Sequence, residues 1–123
     1  MPEILIVEDS AVFRRALKET LATHINSIMI SEAAEGTEAL EKINSFCPDI
    51  VFMDVKLPGE NGFVLTKKVK TRCPHTVVII ITSHDSPEYR EAAQECGAEF
   101  FVSKGSSTAH EIISLVKSIL PGL

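Results

Sequence analysis

The sequence predicts an α/β fold of the (βα)5 type, a doubly wound five-stranded parallel sheet with helices on both faces. Two observations carry that expectation. Short apolar runs alternate five times with segments of helical period. The runs are also apolar almost throughout, not at every second residue, as strands covered on both faces require. Right-handed crossovers between successive strands then put the helices on both sides.

The five runs span residues 4–7, 28–30, 50–53, 77–81 and 100–102, are mostly β-branched or aromatic, and end in polar residues. Between the first two, Phe13, Ala16, Leu17, Thr20 and Leu21 share a helical face behind a cap at Asp9 or Ser10. Gly36, Ala39, Leu40 and Ile43 mark a second helix, and Phe63, Val64 and Val69 a third after Gly62. Ser86 followed by Pro87 and Glu88 starts a fourth, which Gly97 closes. Thr108 with Glu111 three residues on is a capping-box pattern for the fifth, whose apolar face is Ile112, Leu115, Val116, Ile119 and Leu120. No repeat, low-complexity segment or linker interrupts the pattern, so residues 1–123 read as one domain.

Composition narrows the function. Hydrophobic residues make up 45% and charged residues 24%, which fits a folded globular chain and not a disordered one. A net charge of −5 without any basic run argues against direct nucleic-acid binding, which needs clustered Lys and Arg to hold phosphates. The longest apolar stretch, residues 77–81, is far too short to span a membrane, and the first residues lack a secretory pattern, so a cytoplasmic location is expected. Cys47, Cys73 and Cys96 are odd in number and widely spaced, with no C-x-x-C pair; they read as reduced structural thiols. His24, His75, His84 and His110 share no helical face and read as surface or loop residues.

In open α/β sheets, ligands bind beyond the carboxyl ends of the strands. The residues there are Glu8 and Asp9 after the first run, Asp54 after the third, Thr82 and Ser83 after the fourth, and Ser103 and Lys104 after the fifth. Three carboxylates in one crevice repel one another unless a cation intervenes, and all-oxygen donors suit Mg²⁺ better than zinc. A hydroxyl, an ammonium and a metal are what a transferring phosphoryl group needs around it, with a carboxylate as nucleophile.

With these residues in view, the chain resembles a response-regulator receiver domain of two-component signalling, of the chemotaxis-regulator kind, over its whole length. The resemblance rests on Glu8-Asp9, on Asp54 followed by Pro58-Gly59 and Asn61-Gly62, on Thr82-Ser83 and on Lys104. It implies a flavodoxin-like strand order 2-1-3-4-5. It further implies that Asp54 is the phosphoacceptor, taking a phosphoryl group from a sensor histidine kinase or a histidine phosphotransfer protein. Asp9 and Asp54 would ligate Mg²⁺ directly, Glu8 through water, and Lys56 by its backbone carbonyl. Thr82 and Lys104 would bind the phosphoryl group, and Thr82 with Phe101 would form the switch toward a downstream effector protein or domain, leaving a phosphorylation-dependent dimer open. Lys56 and His84, two residues after the phosphoacceptor and the switch threonine, would flank the path of the water that ends the signal. Such a domain catalyses only its own phosphorylation and dephosphorylation. The chain departs from the family pattern at Gly105, where relatives carry proline, and at Phe101, where many carry tyrosine.

Three other readings fit the sequence less well. A haloacid-dehalogenase phosphatase also uses a strand-end Asp and Mg²⁺, but its general-acid Asp would stand at position 56, which is Lys56. A flavodoxin-like cofactor module would need a glycine-rich phosphate loop where Glu8-Asp9-Ser10 stands. A receiver-fold interaction module that is never phosphorylated has no need of the acidic residues, Thr82 and Lys104 together.

Overall fold

The structure, a computed structural model, describes residues 1–120. Its elements in chain order are β1 (Glu3–Val7), α1 (Ala11–His24), β2 (Met29–Ala33), α2 (Gly36–Ser45), β3 (Ile50–Asp54), α3 (Gly62–Arg72), β4 (Val77–Thr82), α4 (Pro87–Glu95), β5 (Phe100–Ser103) and α5 (Ala109–Ile119). All strand pairs are parallel and the sheet order is β2-β1-β3-β4-β5. The expected fold class and strand order are therefore observed.

Two apolar clusters cover the two faces of the sheet. Ile4, Ile6, Ile50, Phe52, Ile79 and Ile81 point to one side, against Leu17, Leu21, Ile113 and Val116 of α1 and α5. Leu5, Val7, Val51, Met53, Val78 and Ile80 point to the other, against residues of α2, α3 and α4. The alternation along each strand sends successive side chains to opposite cores, which is why the runs are apolar throughout. Leu17 and Leu21 each contribute about 2 kcal/mol by leaving water.

Helix starts follow the sequence signals. Ser10, Asn61 and Ser86 accept the N–H groups of Phe13, Val64 and Tyr89 with their side chains, and Thr108 and Glu111 form a reciprocal capping box. Gly97 takes φ +96° after α4, the left-handed conformation that ends helices.

Some local expectations are corrected. β2 runs later than residues 28–30, through Ser31 and Glu32, because it is an edge strand with partly open side chains; Glu32 is neutralised by Arg14 and Lys18, each at 3.1 Å. Ala16 is exposed, so the buried line of α1 is Leu17 and Leu21. In α3 the buried face is Gly62, Leu65, Thr66 and Val69, a helical i, i+3, i+4, i+7 set; Val64 is exposed and Phe63 only partly covered. The largest correction concerns the thiols. Cys47 and Cys73 are joined in a disulfide, and Cys96 alone is a free, buried cysteine. The pairing follows from topology: Cys47 lies just before β3 and Cys73 just before β4, and these strands are neighbours with Ile50 beside Val77.

Candidate functional site

Parallel strands bring their carboxyl ends to one edge, where the polar residues after each run meet. Glu8 follows β1 and is fully buried; Asp9, next to it, is exposed. Asp54 and Thr82 are the last residues of β3 and β4 and are both buried. Lys104 follows β5, and its N–H donates to the carbonyl of Thr82 at 2.8 Å. Carboxylate oxygens of Glu8, Asp9 and Asp54 lie within 4.8 Å of one another. The Lys104 ammonium pairs with Glu8 and stands 3.7 Å from Asp54 Oδ2.

Local backbone geometry fixes Asp54. The Gly62 N–H donates to Val55 O at 2.8 Å, and a Cβ on Gly62 would fall 2.0 Å from the carbonyl oxygen of Asp54. Glycine is thus needed for α3 to begin against the end of β3. Gly59, at φ +84°, closes the turn after Pro58. Gly105 is different: a Cβ there would meet open space, and its φ is not in the left-handed region.

The charges at this edge are poorly balanced. Burial pushes the Asp54 carboxyl up to about 7, helped by its hydrogen bond with Glu8 and the repulsion of that group; Lys104 and the Val55 N–H oppose the rise. Burial acts in the same direction on Glu8, but its hydrogen bonds with Asp54, Lys104 and the Ser10 N–H outweigh it and hold that carboxyl below its ordinary range. Glu8 Oε1 is buried and paired with the Lys104 ammonium, while its Oε2 accepts the Ser10 N–H at 3.0 Å. Three clustered carboxylates beside a single lysine, oxygen-only donors and an exposed Asp9 on a cleft of about 580 Å³ fit a hard, partly hydrated divalent cation such as Mg²⁺.

Several residues at the site were not evident in the sequence. The Phe13 ring lies 4.4 Å from Lys104 Nζ, a cation–π contact that steadies the ammonium. Arg14 Nη1 donates to the carbonyl of Glu8 at 2.7 Å. Tyr89 lines the cleft beside Asp9, Lys56 and Asn61, and its ring packs on His84 at 4.3 Å and on Phe63 at 5.4 Å. Phe101, half-buried, carries the Arg90 guanidinium 4.6 Å above its ring, and that guanidinium is held by two hydrogen bonds to Asp85. Helical spacing marks Phe13 as apolar-face, but only the fold reveals that Lys104 rests on it. Lys56 is exposed at the cleft, and the Thr82 hydroxyl accepts the His84 N–H at 3.1 Å.

Five parallel strands in this order, with an acidic cluster and a lysine at their carboxyl edge, define the receiver class of signalling domains. The family model for the response regulator receiver domain matches residues 4–117, and the chain belongs to that family, which acts in two-component signalling. Among curated proteins, it is 31% identical to the oxygen regulatory protein NreC of Staphylococcus carnosus over 98% of this chain and 55% of that protein. It is also 31% identical to the transcriptional activator protein ExaE of Pseudomonas putida, over 97% of this chain and 55% of that protein. The chain thus spans about half the length of the curated relatives it matches. Among solved structures, the signal receiver domain of the putative response regulator NarL from Mycobacterium tuberculosis superposes with a TM-score of 0.88 at 29% identity, covering 99% of this chain and 98% of that one. A LuxR-family two-component response regulator from Aurantimonas sp. SI85-9A1 gives the same TM-score and identity, over 98% of this chain and 85% of that one. No helix among the described residues is long and apolar enough to cross a membrane.

Proposed function

We propose that residues 1–123 form one receiver unit whose Asp54 accepts a phosphoryl group from a phosphohistidine donor, on a sensor histidine kinase or a histidine phosphotransfer protein. The observation that carries this reading is the state of Asp54: a buried strand-end carboxyl, raised to about 7 and pressed against a second buried carboxylate, with an ammonium 3.7 Å away. Such a group is destabilised as it stands, and the charges that relieve it are those that accompany phosphoryl transfer.

In the proposed reaction a carboxylate oxygen of Asp54 attacks phosphorus, the bond from phosphorus to the donor imidazole nitrogen breaks, and the leaving nitrogen is protonated. Asp9 and Asp54 directly, Glu8 through water, and Lys56 through its carbonyl would hold Mg²⁺, which when bound neutralises both the carboxylates and the phosphoryl oxygens. Lys104, poised between Glu8 and Asp54, pairs its ammonium with a phosphoryl oxygen. The Thr82 hydroxyl accepts the His84 N–H, which leaves its own proton to donate to the same group. Movement of Thr82 then draws on Phe101 and loosens the Arg90 cover, altering the surface of α4 and β5 that an effector or a second copy would meet. Val12, 83% exposed on α1 and flanked by Ala11 and Ala16, gives the donor protein an apolar landing beside the site. The domain works in the cytoplasm, touches neither nucleic acid nor membrane itself, and turns over only its own phosphoryl group.

Incubation with Mg²⁺ and acetyl phosphate, followed by intact mass, tests this. One labile phosphoryl adduct is expected on the wild type and none on Asp54→Asn. An adduct of equal yield on the mutant would overturn the assignment.

A further inference from the structure

We propose that Cys47 and Cys73 form a thiol–disulfide exchange site, opened by a dithiol reductant and closed again by oxidation while the domain stays folded. The site lies at the amino-terminal edge of the sheet, opposite the carboxylate cluster, and does not depend on the role given to Asp54. The two cysteines are 26 residues apart in sequence with Cα atoms 5.6 Å apart. Their access differs sharply. Cys47 is exposed in the connection from α2 to β3, while Cys73 is 2% exposed at the end of α3. Both border a cleft of about 190 Å³ lined also by Pro48, Asp49, Arg72 and His75, through which a small dithiol reaches the bridge.

What separates this bridge from an inert staple is that the segments it joins are already tied without it. Thr76 Oγ1 donates to Pro48 O at 2.6 Å, the Val77 N–H to Asp49 O at 3.0 Å, and Arg72 Nη2 to Asn44 O at 3.2 Å. The Cys73 N–H remains bonded to Val69 O at 2.7 Å, and the Thr76 N–H to Cys73 O at 3.1 Å. These bonds hold the two connections in register after the sulfurs part, so the thiols stay within reach of each other. A pair with one exposed and one buried cysteine also gives the exchange a direction.

The donor's thiolate attacks Cys47 Sγ, the bond between the protein sulfurs breaks, and the electron pair leaves on Cys73 Sγ, which takes a proton from solvent. The donor's second thiol then attacks its own sulfur in the mixed disulfide, the Cys47 thiolate leaves and is protonated, and the donor departs as a cyclic disulfide. Two electrons and two protons have passed to the protein. Oxidation by a small disulfide reverses the sequence. Cys96, buried and away from this cleft, takes no part.

The full chain, treated with millimolar dithiothreitol in native buffer and then trapped with iodoacetamide, reads this out by intact mass and peptide mapping. Cys47 and Cys73 should be unlabelled before treatment and both labelled after it, with Cys96 unlabelled and the circular dichroism spectrum kept. Removal of the dithiol and addition of oxidised glutathione should restore the bridge. A bond that yields only after denaturation, a fold lost on reduction, or thiols that fail to close again would each overturn the proposal. Direction is tested in single variants: Cys47 in Cys73→Ser should form a mixed disulfide with glutathione about tenfold faster than Cys73 in Cys47→Ser. Equal or reversed rates would overturn the assigned order of attack.

Discussion

The two edges of the sheet are built on opposite terms. At the amino-terminal edge charged side chains tie the connections together: Lys70 Nζ donates to Pro74 O, Thr76 O and Glu99 at 3.2, 2.6 and 2.6 Å, Asp49 accepts the Glu3 N–H at 2.8 Å, and Glu99 accepts the Val78 N–H at 3.0 Å. The disulfide closes the same edge. At the carboxyl-terminal edge three carboxylates cluster beside one lysine, and Asp54 holds a raised carboxyl. One edge is closed by paired groups and the other gathers like charges, an arrangement seen where a site is held in an unfavourable state by the scaffold around it.

The largest effect should come from breaking the hinge between scaffold and site. Gly62→Ala drives a Cβ into the Asp54 carbonyl backbone, which cannot swing away as a side chain would. A loss of about 4 kcal/mol in urea unfolding is expected, together with loss of phosphoryl uptake. A mutant that unfolds and phosphorylates like the wild type would refute the close approach.

Next in size is the opposite edge. Opening the Cys47–Cys73 bridge, or replacing Cys47 by Ser, should cost about 3 kcal/mol by freeing the unfolded chain. Phosphoryl uptake measured by mass should be unchanged, because Asp54 is placed by β3 and Gly62 and not by the bridge. Uptake that falls along with stability would mean that the two ends are not separable.

A smaller effect follows from Asp54 itself. Its folded pKa lies above the unfolded one, so the folded state binds more protons between pH about 4 and about 7, and cation-free stability falls as pH rises through that window. Asp54→Asn removes that fall and should stabilise the cation-free protein on the order of 2 kcal/mol above pH 7. Parallel pH profiles of melting temperature in chelator test it; a mutant that follows the wild-type slope contradicts the assignment.

The smallest prediction concerns signal lifetime. His84, packed on Tyr89 at the edge of the cleft, should influence the approach of water to the phosphoryl group. In His84→Ala the decay rate should change about threefold. Superimposable decay curves would return His84 to an ordinary surface role.

Much of this contrast was legible in the sequence, unevenly. Strand-end residues could be read because a parallel sheet converts chain position into place: Glu8, Asp9, Asp54, Thr82 and Lys104 meet at one edge from five positions spread over nearly the whole chain. Contacts across helix faces were not readable, since nothing in the spacing of Phe13 says that Lys104 will lie on its ring. The disulfide was missed for a related reason. Cys47 and Cys73 form no short motif, and their proximity exists only once β3 and β4 are known to be neighbours. The shift of β2 and the buried face of α3 show tertiary hydrogen bonding and packing overriding local hydropathy.

The central claim is that the carboxyl-terminal edge is held in a state a divalent cation relieves. Its most direct measure is the melting temperature at pH 8, with chelator and with saturating Mg²⁺, for the wild type and Asp9→Ala. Preferential binding to the folded state should stabilise the wild type by about 3 kcal/mol at a hundredfold excess over the dissociation constant, raising its midpoint by roughly 10 °C, with most of that gain lost in Asp9→Ala. Identical wild-type midpoints with and without Mg²⁺ would contradict the account.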